Sequence, residues 1–281
     1  MNKKTKIIIY VIVAIVALAL ATKALKQNDG IKPEILDKVV ILNEAKVSPE
    51  NDGKLVLISG KLETDYTLTD EDLGLQIDSC KAERKVEMYQ YAIKNDTLDY
   101  KWDDDVKEYV VIDSKRYYNP NKSMDDLETC DIAQLGEFTV PEGLTKKLSY
   151  NSNVKDLPEV KRYRIKNDYL TNTSGIDKIG DIRIKYNYVD LDKTGEVSIL
   201  AKQVGDSFEE YKLDTGYNVF NLYQNKITNK EELAKELDKD MNTMYGGIII
   251  VIIIILIVGV FIFKEDLKNI INKSKNKKEN A

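Results

Sequence analysis

Histidine is absent from this 281-residue chain, which also has only two cysteines, five prolines and one tryptophan. Without histidine the chain has no Ser-His-Asp triad, no histidine-ligated zinc and no imidazole switch near neutral pH. The sequence also lacks a glycine-rich phosphate loop, a nucleophile elbow and a His/Cys metal-binding set. We therefore predict no catalytic residues, no cofactor-binding residues, no metal ligands and no cofactor.

The two cysteines, Cys80 and Cys130, leave one alternative open. In an oxidising compartment they could form a disulfide. Two unrelated free thiols would give the same count, so both states are compatible with the sequence.

Apolar residues are concentrated near the two ends of the chain. Residues 7–25 and 246–263 consist largely of Ile, Val, Leu and Ala. Each run approaches the about 20 residues with which an α-helix crosses a bilayer. We expect a transmembrane helix in each run. The alternative for the first run is a cleaved signal peptide, because Ala19-Leu20-Ala21 resembles a cleavage site. The length of the run favours an uncleaved anchor.

Lysines flank both apolar runs on their terminal sides, at positions 3, 4 and 6 and throughout the last 18 residues. Short lysine-rich flanks stay in the cytoplasm. The expected order is a cytoplasmic N-terminus at 1–6, a transmembrane helix at 7–25, an exoplasmic domain at 26–245, a transmembrane helix at 246–263 and a basic cytoplasmic tail at 264–281. This order predicts a multi-pass protein of the cell membrane with both termini in the cytoplasm. In a eukaryotic cell the membrane would be an endomembrane or the inner nuclear membrane.

The charge of the chain is divided between the tails and the domain. The net charge is −5 although both tails are basic, so the domain between the apolar runs is acidic. The basic tails suit the anionic headgroups of a lipid bilayer, which is the first expected partner. An acidic domain argues against nucleic acid, because affinity for nucleic acid depends on neutralising phosphates.

Within residues 26–245 the hydrophobic pattern predicts an α+β domain that is rich in strands. Alternation with a period of two at Ile182, Ile184, Tyr186 and Tyr188 indicates a half-buried strand, and we expect Val197 to Gln203 to be its hairpin partner. Further strands are predicted at 54–59, 85–93 and 108–114, with an acidic loop at 69–74. Short helices are predicted at 33–45 and 126–135, and a longer one at 231–244 that leads into the second apolar run.

Three acidic stretches are candidate sites, and each has a plainer interpretation. Residues 190–198 resemble the first half of a calcium loop, but Ala201 stands where the closing glutamate belongs, which favours a polar hairpin turn. Asp103 to Asp105 favour a solvated loop. Glu83 and Glu87 are compatible with acid–base chemistry, but carboxylates on a strand also pair across a sheet.

One stretch, Arg84 to Tyr91 with Val-Glu-Met-Tyr-Gln inside it, resembles the transmembrane protein 43 (LUMA) family. The likeness continues in order through Asn119-Pro120 and Gly180-Asp181. The residues that we single out as the family signature, on the surface or in the core, are Arg84, Val86, Glu87, Met88, Tyr89, Gln90, Tyr91, Gly180 and Asp181.

The resemblance implies a role and also shows two departures. Members are associated with the endoplasmic reticulum and inner nuclear membrane, where they organise membrane protein assemblies. Tyr91 stands where the family has Trp, and we expect several spans where this chain offers only residues 246–263. The Lys/Asn/Ile-rich composition favours a prokaryotic member, in which lamin-type partners would not exist.

Two functional hypotheses follow. The first is a membrane-anchored exoplasmic binding or scaffolding protein without catalysis, whose partners are other membrane proteins or a second copy of itself. The alternative is an exoplasmic Asp/Glu-dependent hydrolase or a metal-dependent enzyme. An enzyme requires a concave site where acids with raised pKa values converge, near Glu83, Glu87 and residues 103–105.

Overall fold

The computed structural model describes residues 12, 15–17, 30–157, 160, 162–173 and 175–279. The chain divides into two compact units. A helical unit comprises Met1–Lys38, Lys212–Tyr217 and Asn229–Ala281, and a β-rich unit comprises Val39–Tyr211 and Asn218–Thr228. The expected N-terminus at 1–6 and most of the expected span at 7–25 lie outside the described residues.

In the helical unit, residues 30–38 form helix α1. The carboxylate of Glu34 in α1 accepts hydrogen bonds from the backbone N–H of Asp214 (2.5 Å) and of Thr215 (3.2 Å). Lys32 in α1 forms an ion pair with Asp238 at 2.6 Å. Asp238 belongs to the long helix Lys230–Glu279, which confirms the predicted helix at 231–244. No helix in the described part of the chain is both long enough and apolar enough to span a membrane.

The strands and short helices that follow α1 are, in chain order, β1 Val40–Leu42, β2 Leu55–Lys61, β3 Thr67–Asp70, β4 Leu75–Asp78, β5 Lys81–Lys94, β6 Thr97–Asp103, β7 Tyr109–Ile112, β8 Lys115–Tyr118, β9 Leu127–Cys130, β10 Ala133–Leu135, β11 Phe138–Val140, α2 Glu142–Thr145, β12 Ser152–Asn153, β13 Arg164–Lys166, β14 Tyr169–Thr171, β15 Ile182–Tyr188, α3 Leu191–Thr194, β16 Glu196–Val204, β17 Ser207–Glu209, β18 Tyr211–Lys212, β19 Asn218–Val219 and β20 Asn221–Tyr223. Single 3₁₀ turns lie at Pro49–Asn51 and Val154–Asp156. This content confirms the predicted α+β, strand-rich character.

Two large sheets organise these strands. The five-stranded sheet has the order β1-β2-β16-β17, with β20 beside β16. The seven-stranded sheet has the order β13-β14-β15-β5-β6, with β12 beside β15 and β9 beside β5. Each sheet has its own hydrophobic core. Phe138, Leu144 and Ile199 belong to the first core, and Val86, Met88 and Ile184 belong to the second.

The predicted strands at 54–59, 85–93, 108–114 and 182–188 are confirmed in place, but the hairpin between β15 and 197–203 is wrong. Strand β15 pairs with β5 and β14 in one sheet, whereas β16 pairs with β2 in the other. Helix α3 separates the two strands. Asp190 caps its N-terminus by accepting hydrogen bonds from the N–H of Asp192 (3.0 Å) and of Lys193 (3.2 Å).

Two predicted helices are corrected, and a predicted loop is confirmed in part. The helix predicted at 33–45 ends at residue 38, because the β-branched run that follows favours strand β1. The helix predicted at 126–135 is wrong, since the segment forms β9 and β10. There Ala133 and Leu135 alternate in burial with Gln134, a strand period. The acidic loop at 69–74 is the turn of the β3–β4 hairpin, where Gly74 has φ of +64°.

Candidate functional site on strand β5

Strand β5 carries most of the signature residues, and its side chains alternate in burial from Ala82 to Ala92. The side chains at even positions from Ala82 to Ala92 are buried, whereas those at odd positions are half-buried or exposed. Successive side chains of a strand point to opposite faces of the sheet. The signature therefore divides into an inner set (Arg84, Val86, Met88 and Gln90) and an outer set (Glu87, Tyr89 and Tyr91).

Arg84 is the charged member of the inner set. Its side chain is 4% exposed and pairs with Asp70, which is 2% exposed, and with Asp72 at 2.6 Å. Its Nε also donates to the carbonyl of Asp125 at 3.1 Å. These contacts attach the β3–β4 hairpin to the second core. The other Asp70 oxygen, Oδ2, and the hydroxyl of Tyr186 have no hydrogen-bond partner among the described residues.

Gln90 connects β5 to the segment that follows β6. Its Nε2 donates to the carbonyl of Asp105 at 3.0 Å, and its Oε1 accepts from the N–H of Lys107 at 3.0 Å. The side chain of Asn119 then accepts from the N–H of Tyr91 at 2.7 Å and donates to the carbonyl of Lys107 at 2.8 Å. Gln90 is fully buried, and a buried amide needs such partners. Gln90 and Asn119 therefore act as positioning residues for the C-terminal half of β5.

Gly180 and Asp181 complete this junction. The N–H of Gly180 donates to the carbonyl of Tyr89, and the N–H of Tyr89 donates to the carbonyl of Asp181, both at 2.9 Å. Gly180 has φ of +93°, and a Cβ at this position would lie 3.0 Å from the ring of Pro120. The positive φ strongly favours glycine here, and the close approach of Pro120 adds to that preference. These two signature residues therefore have a structural role.

Tyr89, Tyr91, Tyr100 and Trp102 form a surface that we call the aromatic face. Register places Tyr89 opposite Trp102 and Tyr91 opposite Tyr100 across β5 and β6. The ring centroids of Tyr89 and Trp102 are 5.3 Å apart, and those of Tyr91 and Tyr100 are 5.7 Å apart. Tyr100 is 47% exposed. Aromatic cross-strand pairs stabilise a sheet, and this face is partly accessible to solvent, with Tyr100 exposed and the other three rings half-buried.

Arg183 borders the aromatic face. It pairs with Glu87, its direct neighbour across β15 and β5. Its guanidinium lies 4.9 Å from the ring centroid of Trp102 and 4.5 Å from that of Tyr169. The indole Nε1–H of Trp102 donates to Asp177 at 3.2 Å. The cation–π contacts and the ion pair fix the orientation of Arg183 and Trp102.

The acidic candidates near this face each have their own partner and do not converge. Glu83 accepts from the side chain of Asn187 at 3.2 Å, and Glu87 binds Arg183. Asp103 pairs with Lys101, and this hydrogen bond lowers the pKa of the Asp103 carboxyl. Acid catalysis needs the opposite shift.

A shallow pocket of about 350 Å³ lies elsewhere, lined by Thr64, Asp65, Tyr66, Asp131, Ile132, Ala133 and Gln134. None of the acidic candidates lines it. Tyr66 and Ile132 are exposed at its surface.

The calcium-like stretch is a helix cap. Asp190 binds the first turn of α3, and Lys193 pairs with Asp156 at 2.9 Å and with Asp190 at 3.7 Å. The ammonium group of Lys193 therefore already neutralises the carboxylates of Asp156 and Asp190. In the described part of the chain, no group of three or more His, Cys, Asp or Glu side chains is arranged to hold a metal ion.

Cys80 and Cys130 are free thiols. Cys80 lies in the first core, where burial raises its pKa to about 12. The Sγ of Cys130 lies 3.1 Å from the hydroxyl of Thr145, and burial raises its pKa also. A raised pKa suppresses the thiolate form, so neither thiol has the character of a nucleophile.

The signature residues predicted from the sequence include Tyr89 and Tyr91 but not Tyr100, Trp102 or Arg183. The signal was the Asn95-Asp96 turn, in which both residues have positive φ. A two-residue turn of this type fixes the register of β5 and β6 and so predicts the aromatic pairs.

Comparison with known proteins gives a consistent set of relatives. A family model described as Transmembrane protein 43 matches residues 83–276. Proteins named Transmembrane protein 43 from Homo sapiens and Pongo abelii are each 26% identical over 235 residues, which cover 71% of this chain and 58% of the relative. A Transmembrane protein 43 homolog from Drosophila melanogaster is 23% identical over 213 residues, 66% of this chain and 56% of the relative. No solved structure matches the chain. The chain thus spans well under two thirds of the length of these curated relatives.

Proposed function

We propose a function from one established premise: the chain belongs to the transmembrane protein 43 family. Membership confirms the resemblance seen in the sequence and supports the description of a membrane protein. We infer a membrane-anchored binding protein that organises membrane protein assemblies and performs no catalysis. Its anchors would be the apolar runs at 7–25 and 246–263. Their lysine flanks support cytoplasmic termini and an exoplasmic β-rich unit.

The observation that carries the proposal is the aromatic face. Aromatic residues and arginine dominate the energetics of protein–protein interfaces, especially where neighbouring contacts hold them in place. Here Trp102 is held by Asp177 and Arg183, and Tyr100 is held by Tyr91. A partner that covers this face would therefore lose little side-chain entropy on the side of this protein.

The test is chemical crosslinking with mass spectrometry on native membranes that contain the full chain. We expect recurrent crosslinks to other membrane proteins from lysines near the aromatic face. Trp102→Ala should reduce their yield severalfold. Tyr66→Ala, which truncates an aromatic residue that is 40% exposed and does not belong to the aromatic face, is the matched control and should leave the yield unchanged.

Two outcomes would contradict the proposal. One is the recovery of monomer alone, without a recurrent partner, from native membranes. The other is an equal loss of crosslinks in Trp102→Ala and Tyr66→Ala, which would show that the contacts do not depend on the aromatic face.

A further inference from the structure

The outer edge of the seven-stranded sheet is strand β6. Tyr89 exchanges backbone hydrogen bonds with residues 180 and 181, so the odd positions of β5 direct their N–H and C=O groups toward β15. The even positions of β5 therefore bond to β6, where Gln90 lies opposite Lys101 and Ala92 lies opposite Asp99. In antiparallel pairs these orientations alternate. It follows that Leu98, Tyr100 and Trp102 direct their backbone groups outward.

Nothing in the described part of the chain pairs with β6 on that outer side. An exposed edge of this kind is a template for another strand, and proteins commonly shorten, bend or cover such an edge. Here the edge is seven residues long and carries an exposed tyrosine at its centre. A strand that adds to it would gain six backbone hydrogen bonds from the three outward residues and their partners.

The sequence of β6, Thr-Leu-Asp-Tyr-Lys-Trp-Asp, is complementary to itself when read in the opposite direction. In an antiparallel pair centred on Tyr100, Asp99 of one copy faces Lys101 of the other, and the reverse pair forms by symmetry. Leu98 faces Trp102 of the second copy, and the two Tyr100 side chains face each other. Opposite charges and aromatic pairs directly across two strands are both stabilising.

Neighbouring registers are disfavoured by like charges. The two strands can shift against each other only in steps that keep outward-facing residues of one copy, such as Leu98, Tyr100 and Trp102, opposite outward-facing residues of the other copy. A shift one way places Asp99 opposite Asp99 of the second copy. A shift the other way places Lys101 opposite Lys101. Like charges directly opposite are destabilising, so the charge pattern selects the register that is centred on Tyr100.

We propose that β6 is a homotypic docking edge, at which a second copy of this chain adds its own β6 in an antiparallel, two-fold symmetric pair. The inference rests on the proposed function and deepens it by naming one partner and one surface. A two-fold contact of this kind closes and does not propagate into fibres. The edge is small, so the pairing is weak in dilute solution and gains from the confinement of both copies to one membrane.

Charge exchange tests the register directly on the purified full chain in detergent micelles, with sedimentation velocity as the measurement. Asp99→Lys places lysine at both position 99 and position 101, which face each other between the two copies. Lys101→Asp places aspartate at both positions. Each variant alone should show a dimer Kd at least about tenfold above that of the wild type. An equimolar mixture of the two variants should recover the wild-type Kd within about twofold, because lysines of one chain then face aspartates of the other.

A variant that removes one backbone N–H of β6 provides a second, independent test of the pairing. Tyr100→Pro removes an N–H that points outward and therefore leaves the ladder between β5 and β6 intact. It should abolish the dimer while the circular dichroism spectrum remains that of the wild type. Rescue in the charge-exchange mixture excludes misfolding as the reason for loss in the single variants.

Three results would overturn the inference: a wild-type chain that stays monomeric both in micelles and in liposomes, single charge variants that dimerise as well as the wild type, or a mixture that fails to recover. The proposed function can fail or hold independently. If the charge variants Asp99→Lys and Lys101→Asp lose the dimer contact but keep crosslinks to other membrane proteins, both proposals stand. If dimerisation ignores β6 while those crosslinks depend on Trp102, only the docking edge fails.

Discussion

Strands β16 and β5 stand at the centres of the two large sheets, and they bury their side chains differently. Residues 197–201 of β16 are buried at every position, whereas β5 alternates between buried and half-buried positions. The first pattern belongs to a strand covered on both faces, and the second to a strand with one face free. The five-stranded sheet is therefore covered on both faces at its centre, whereas the seven-stranded sheet has one face that is available for recognition.

The largest expected effect concerns the buried face of β5. Arg84→Met removes the partner of Asp70 and leaves a carboxylate that is 2% exposed without its counter-charge. We expect a loss of about 3–5 kcal/mol in the free energy of unfolding, measured by urea denaturation of the full chain. Arg183→Met is the matched control, because its ion pair with Glu87 lies at the open face, and it should cost less than about 1 kcal/mol. Equal losses of unfolding free energy in Arg84→Met and Arg183→Met would contradict the proposed difference between the two faces of β5.

The second prediction compares the two strands directly. Ile199 in β16 is fully buried, whereas Ile93 in β5 is 51% exposed. Ile199→Ala should therefore cost about 2–5 kcal/mol in the free energy of unfolding. Ile93→Ala should cost less than about 1 kcal/mol. The measurement is again urea denaturation, and a large loss in Ile93→Ala would show that the open face is covered by something within the chain.

The smallest expected effect lies on the open face itself. Glu87→Gln removes the charge that pairs with Arg183, a pair in which both side chains are more than a quarter exposed. We expect a loss of at most about 1 kcal/mol at low salt. The difference from the wild type should vanish at 1 M salt, where screening acts within about 3 Å. A difference that persists at high salt would indicate that packing of Arg183 against Trp102, and not charge, holds this corner.

Local sequence patterns predict many of the individual strands, but they do not predict which strands pair with each other. The alternation at Ile182 to Tyr188 predicted β15 correctly, because period two depends only on which side chains are buried. Its partner, β5, lies about 100 residues earlier in the chain, with Arg183 and Glu87 separated by 96 positions. The expectation of a hairpin with 197–203 failed because Asp190 caps helix α3, and the chain then enters the other sheet.

The candidate site divides in the same way. Recognition of the signature singled out Arg84 and Tyr89 together, although one supports the core and the other belongs to the aromatic face. Their roles can be distinguished only when it is known which side chains of β5 face the core and which strands lie beside it. The helix predicted at 126–135 is wrong for a comparable reason, since the burial of Ala133 and Leu135 follows the period of a strand.

Trp102 is the only tryptophan in the chain, and it lies in the aromatic face with Asp177 on its indole nitrogen and Arg183 above its ring. Indole emission responds to the polarity of its surroundings, so the protein carries an intrinsic optical probe at the surface where we place its partners. Docking on this face should be visible as a change in emission wavelength of the unlabelled protein. No second tryptophan elsewhere in the chain would obscure that signal.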